Sequence, residues 1–362
     1  MKSILLISIL LILGICSASA QNNETVFRKY SNDFLNIGVG GRALAMGNSV
    51  VATTRDVTSA YWNPSSLVYL PSDLQLGAMH ASYFANIGKF DYLGGATRLS
   101  DSSALAFTMV RFGVDDIPNT LELIDNEGNI RYDRIKSFSV ADYAFLVSYA
   151  RSMGIPGLKI GGNAKLIRRV AGDFASAWGF GFDLSALYDA GNWQIGAVAR
   201  DITTTFNAWK FNTSELEDAF ALTGNELPDN SVEMTMPRLL LGGAYKFDIS
   251  ENFGGLVELD ADVTFDGKRN VVVKSDPVSI DPHFGLEANF RQLVFVRAGV
   301  GNMQTIPGLD SENEFTFQPN LGIGLKFWRL GIDYAFTDIG DQSVALYSHI
   351  FSLSFNINKQ GL

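Results

Sequence analysis

From Leu74 to Ile357 the chain carries fourteen short segments in which apolar residues alternate with small or polar ones. A period of two belongs to a pleated strand, whose successive side chains point to opposite faces; a helix would repeat near 3.6. The clearest segment sets Phe315, Phe317, Leu321, Ile323, Leu325 and Phe327 on one face and Gly322, Gly324 and Lys326 on the other. The predicted strands cover 73–84, 89–100, 103–114, 137–151, 157–170, 173–189, 192–205, 237–248, 253–266, 280–290, 293–303, 315–328, 329–338 and 344–357. An even strand number, aromatic strand ends and alternately brief and long connections are the mark of a bacterial outer-membrane barrel. The expected fold is therefore all-β, a 14-stranded antiparallel transmembrane β-barrel.

Short connections are expected at 100–102, 189–191, 248–252, 291–292 and 327–329, and long ones at 115–136, 206–236, 267–279 and 304–314. Outer-membrane barrels keep short turns in the periplasm and long loops outside. The faces separate in the same way. Trp178, Phe180, Phe182, Leu184 and Tyr188 alternate with Gly179, Gly181, Asp183 and Ser185, and Val257, Leu259, Ala261, Val263 and Phe265 with Glu258, Asp260 and Asp262. Leu158, Ile160, Ala164 and Leu166 alternate with Lys159, Asn163 and Lys165. A lysine facing lipid at mid-bilayer costs about 2–4 kcal/mol, so the apolar set faces outward and the charges line the lumen. Trp193, Tyr188, Trp328 and Tyr347 fall near strand ends, where amphipathic rings suit the membrane interface. A soluble sandwich would share the period. It would not explain the parity of the connections, and only a closed sheet leaves no edge in lipid.

Composition agrees with strands spread through a membrane. Of 362 residues 47% are hydrophobic and 18% charged, and after the first sixteen no apolar run reaches the roughly 20 residues of a spanning helix. Residues 1–20 read as a cleaved signal peptide: Lys2, an apolar run from Ile4 to Ile15, then Ala18-Ser19-Ala20. Cys16 suggests a lipid anchor, but Ile15 precedes it where such a signal has a small residue. Cleavage after Ala20 leaves no cysteine, hence no disulfide or thiolate chemistry. A net charge of -10 provides no basic stripe for nucleic acid. Much of the acid lies in 206–235 and 115–136, read as solvated loops or, functionally, as sites of divalent-cation bridging to surface lipid or of partner recruitment.

Residues 21–71 precede the strands and are not strand-like. Gly38, Gly40, Gly41 and Gly47 require tight turns, Asp56 to Tyr61 reads as a short helical turn, and it breaks at Asn63-Pro64. This segment is expected to fill the barrel mouth or lumen. Gly38 to Ala43 formally fits a dinucleotide fingerprint with Asp56 downstream, but no βαβ unit surrounds it. His80, His283 and His349 are scattered and no Gly-x-Ser-x-Gly elbow occurs, so no catalytic centre and no cofactor are expected. Glu258, Asp260 and Asp262 could form a lumen cation or substrate site, or pair with Lys159, Lys165, Arg168, Arg169 or Arg42 across a filled interior.

The run Phe34-Leu35-Asn36-Ile37-Gly38-Val39-Gly40-Gly41-Arg42-Ala43-Leu44-Ala45-Met46-Gly47, then Asp56 and Ala60-Tyr61-Trp62-Asn63-Pro64-Ser65-Ser66-Leu67, resembles the opening of the PorV/PorQ family. These are outer-membrane proteins of type IX secretion, related to the FadL fatty-acid transporters. The resemblance implies a FadL-like fourteen-stranded barrel with an amino-terminal hatch whose motif includes Gly38, Gly40, Arg42, Met46, Gly47, Asp56, Trp62, Asn63 and Pro64. Asn63-Pro64 falls on the superfamily's Asn-Pro-Ala motif, with Ser65 in place of alanine. The implied organisation is a signal peptide at 1–20, a hatch at 21–71, a barrel at 72–358 and a tail at 359–362. The implied role is non-enzymatic: binding the translocon barrel or exported cargo. Alternatives are a FadL-like channel for long-chain fatty acids or other hydrophobic molecules, and a structural anchor for motility or adhesins.

Overall fold

The computed structural model describes residues 26–27, 31–84, 86–125, 127–217, 220–221, 224–307, 313–339 and 347–358. The expected signal peptide and carboxyl-terminal tail lie outside them. The strands are β1 (Leu74–Tyr83), β2 (Gly88–Ser100), β3 (Ser103–Asn119), β4 (Lys136–Ser152), β5 (Leu158–Ala171) and β6 (Ala175–Ala190). Next come β7 in two pieces (Trp193–Arg200, Thr205–Phe211) and β8 in two (Ser231–Thr235, Arg238–Ser250). The rest are β9 (Phe253–Thr264), β10 (Ser279–Phe290), β11 (Val294–Pro307), β12 (Asn313–Phe327), β13 (Leu330–Thr337) and β14 (Ser348–Ile357). Each pairs antiparallel with its neighbours, and β14 returns to β1 with Phe351 opposite His80. The result is a closed fourteen-stranded barrel, as expected.

The two-piece strands correct the sequence reading. β6 pairs with both halves of β7, the register moving from Leu184↔Ala199 to Phe180↔Phe206. Between them Asp201 and Thr204 take positive φ angles of 54° and 56°, a local bulge that turns the wall. Opposite lies Pro237, which has no N–H for a ladder. The strands therefore run beyond the break, and the loop expected at 206–236 shrinks to 212–230. Glu233, expected in that loop, is buried on β8 beside Arg169 at 3.3 Å. Two outward connections, 84–87 and 172–174, are short, close to the gaps of 85–88 and 171–172 left between the expected strands. Beside the break, Val26–Phe27 pairs parallel with Glu233 and Met234, covering an edge of Ser231–Thr235.

Burial alternates along the strands. Phe182 (39% exposed) and Leu259 (60%) stand outside, whereas Glu258 (0%) and Asp260 (3%) stand inside. The inner face is not uniformly permissive. A Cβ at Gly181 would fall 1.9 Å from Thr205 Oγ1, so Gly181→Ala, which alternation alone makes mild, forces the bulge to shift. It is expected to slow assembly measurably, read by heat-modifiable migration in gels.

Residues 31–70 pack against the inner face. Their turns include Asp33–Asn36, Gly41–Ala45, Ser59–Trp62 and Pro64–Tyr69. Ser31 and Asn32 lie near Asn207 and Thr235, in the half of the barrel that carries the long loops. Ser72 and Gln75 bond Asn356 at the opposite end. The segment crosses the bore before becoming β1.

Candidate functional site

The lumen is built where this leading segment meets inward glycines. A Cβ at Gly299 would lie 2.1 Å from the Met46 carbonyl carbon, one at Gly161 2.5 Å from Ser65 N, and one at Gly196 2.5 Å from Val51 O. Backbone thus sits directly on backbone, and only a residue without a side chain permits that approach. Within the segment, Gly38 (φ 97°) lies against Trp62, where a Cβ would be 3.0 Å from the indole, and Gly47 (φ 64°) against the backbone of Val300. Gly40 (φ 91°) sets up Gly41–Ala45, whose Arg42 turns toward the wall.

Arg42 Nε meets Glu287 Oε2 at 2.9 Å and its Nη2 donates to Thr53 at 3.0 Å. Glu287 also accepts from Arg297 Nε at 2.7 Å, and Arg297 Nη1 reaches Asp333 at 2.6 Å. Arg297 is 1% exposed, so this chain of alternating charge ties the segment to β10, β11 and β13 away from bulk water. A second cluster sits at the wall bulge: Lys165 Nζ contacts Asp183 at 2.8 Å and Asp201 at 2.5 Å.

Glu258 and Asp260 do not pair with the basic residues named from sequence. Asp260 Oδ2 accepts the N–H groups of Val50 (2.8 Å) and Val51 (2.9 Å); Glu258 accepts from Ala52 N–H (2.6 Å) and the Thr53 hydroxyl. Two adjacent acidic side chains thus hold successive amides of the leading segment. Asp262 pairs instead with Arg238 at 2.8 Å. Lys159 stays out of the buried network, 5.3 Å over the Tyr69 ring. Arg168 faces outward and Arg169 joins Asp142 at 2.8 Å.

Asp56, Trp62, Asn63 and Pro64 stabilise local turns. Asp56 Oδ1 accepts from Thr58 N–H at 2.8 Å, capping the turn before Ser59–Trp62, and Trp62 Nε1 donates to Val39 O at 2.8 Å. Asn63 donates to Val51 O at 2.8 Å and accepts from Ser65, while Pro64 opens the next 3₁₀ turn. No strand leads into the glycines of the dinucleotide-like motif, and they serve close packing. Arg200, missed from sequence, donates to Tyr61 O at 3.0 Å and lies 4.8 Å over the Tyr61 ring. Arg297, Glu287 and Asp201 were also missed, and Asp183, read as inward, was given no partner. Their signal was an ionisable residue at inward parity, such as Glu287 opposite Arg297.

Beyond the segment a cavity of about 700 Å³ opens toward the long loops, with Trp62, Tyr83 and Phe112 on one side and Arg238, Asp262 and His283 among its polar lining. His80, His283 and His349 remain apart, bonded respectively to Asp91, the Gly47 carbonyl and Tyr334.

A closed antiparallel tube with an apolar exterior and charged interior is an outer-membrane β-barrel. Its architecture is that of solved hydrocarbon channels. The toluene transporter TodX of Pseudomonas putida matches at a TM-score of 0.55 and 13% identity, over 92% of this chain and 100% of that one. The CymD monoaromatic hydrocarbon channel matches at 0.55 and 12%, over 89% and 98%. The toluene transporter TbuX of Ralstonia pickettii matches at 0.52 and 12%, over 89% and 99%. The family model described as type IX secretion system protein PorV matches residues 18–210, and the chain belongs to that family. No curated protein matches it.

Proposed function

We propose that this chain is a non-enzymatic outer-membrane component of type IX protein secretion that binds the translocon barrel, exported cargo, or both. Family membership supports the secretion role. The observation that carries the binding role is the occupied lumen: carboxylates of β9 grip residues 50–53, and Arg42, Glu287, Arg297 and Asp333 bridge segment to wall. An interior crossed by ion pairs offers no continuous apolar path to a hydrophobic solute. Residues 21–71 act in this reading as a hatch that stays closed, and the protein works through its surfaces.

The second reading is a FadL-like channel for long-chain fatty acids or other hydrophobic small molecules. The aromatic wall of the cavity, with Trp62, Tyr83 and Phe112, favours it, as do the transporter and channel names of the structural neighbours. It requires the segment to move aside. Deleting the gene separates the two. On the secretion reading type IX cargo accumulates inside the cell and disappears from surface proteomes; normal export with lost uptake of hydrophobic solutes would transfer the assignment to the channel.

A further inference from the structure

The outer face of the barrel is electrically lopsided. Among the described residues, the outward positions of β8 through β13 hold no Asp, Glu, Lys or Arg; they read Leu239, Leu241, Val257, Leu259, Phe284, Leu286, Val296 and similar side chains. The outward positions of β2 to β7 near the long-loop end carry Lys89, Asp91, Arg111, Asp115, Arg168 and Lys210. The first four neutralise one another: Lys89 meets Asp115 at 2.9 Å, and Arg111 meets Asp91 at 3.4 Å. Arg168 and Lys210 have no acidic partner among the described residues.

These two cations frame an aromatic platform. Arg168 is the register partner of Tyr143 on β4 and of Trp178 on β6, and its guanidinium lies 4.9 Å from the Trp178 ring centre. Trp178 is 52% exposed. Lys210 stands opposite Ser176, one outward position above Trp178. Arg168 lies about ten residues along β5 from Leu158; at about 3.3 Å per residue and a tilt near 40°, that is about 25 Å, the height of a barrel's apolar band. The pair therefore sits at the headgroup level of the outer leaflet, with Leu166, Phe180 and Phe182 directly below in the acyl region.

We infer that this face is a binding site for a phosphorylated glycolipid of the outer leaflet. Arg168 and Lys210 take the phosphate, the Trp178 ring packs on the sugar, and the apolar rows below receive acyl chains. A phosphate answers two cations lacking protein carboxylates, and arginine matches it through paired donors.

The test uses the full chain in neutral detergent, titrated with fluorescent diphosphorylated lipid A and its dephosphorylated counterpart, binding read by anisotropy. The wild type is expected to bind the phosphorylated lipid at least tenfold more tightly. R168Q/K210Q should lose that preference, and R168K should retain most of it. Equal affinity of the wild type for both lipids overturns the site, and that comparison decides the matter even if the double variant fails to fold. A folded double variant that keeps the preference also overturns it. Unchanged lipid binding with lost co-purification of secretion components would reassign the face to a protein.

Discussion

Replacing Asp260 with alanine is expected to loosen residues 50–52 from the barrel wall and raise ion conductance in planar bilayers well above the wild-type level. Asp260 is 3% exposed and accepts two backbone amides, those of Val50 and Val51. Without it both donors lack a partner, at about 1–3 kcal/mol each, hence about 2–6 kcal/mol across the contact. Water can enter the space left by the carboxylate and recover part of this loss. D260N keeps one acceptor oxygen and should fall between the two. Adding E258A removes the acceptor of Ala52 N–H and should increase conductance further. An unchanged trace for the D260A/E258A variant would mean that the Arg42–Glu287–Arg297–Asp333 chain alone holds the segment.

The second large effect is on insertion. Leu259→Arg places a guanidinium at an outward site that is 60% exposed on β9. At mid-bilayer this costs about 2–4 kcal/mol, a large fraction of the net stability of a folded domain. Heat-modifiable, correctly assembled protein should fall severalfold in outer-membrane fractions. The same substitution at Phe182 on β6 should behave alike, because Phe180 and Phe182 form an edge-on pair on that face at 4.7 Å. Normal yields from both variants would mean that these faces do not meet acyl chains.

Architecture was legible because one period governs the whole barrel. A single run such as Trp178 to Tyr188 fixes which face is wet, and fourteen such runs fix closure. The sequence was less informative where the chain departs from that period. The bulge at Asp201 to Thr204 and its partner at Met236-Pro237 interrupt the alternation, so residues 206–211 and Ser231–Thr235 read as loop. The lumen was legible in part: the inward acids of β9 are plain in Glu258, Asp260 and Asp262, but their partners are backbone amides, which every residue but proline carries and no side-chain pattern marks. The inward glycines were visible as small residues. That they are seats for another stretch of backbone is a fact about two distant segments, such as Met46 and Gly299, and local alternation has no access to it.

Those seats bear on how the molecule is made. A cylinder whose inner wall is glycine at the contact points has nothing of its own to fill its centre there, so a sealed but unthreaded tube would be partly hollow. Residues 31–70 cross that centre and connect directly to the strand on which the final hairpin closes. Filling and sealing are then coupled, because the segment that occupies the bore runs straight into the strand that completes the ring.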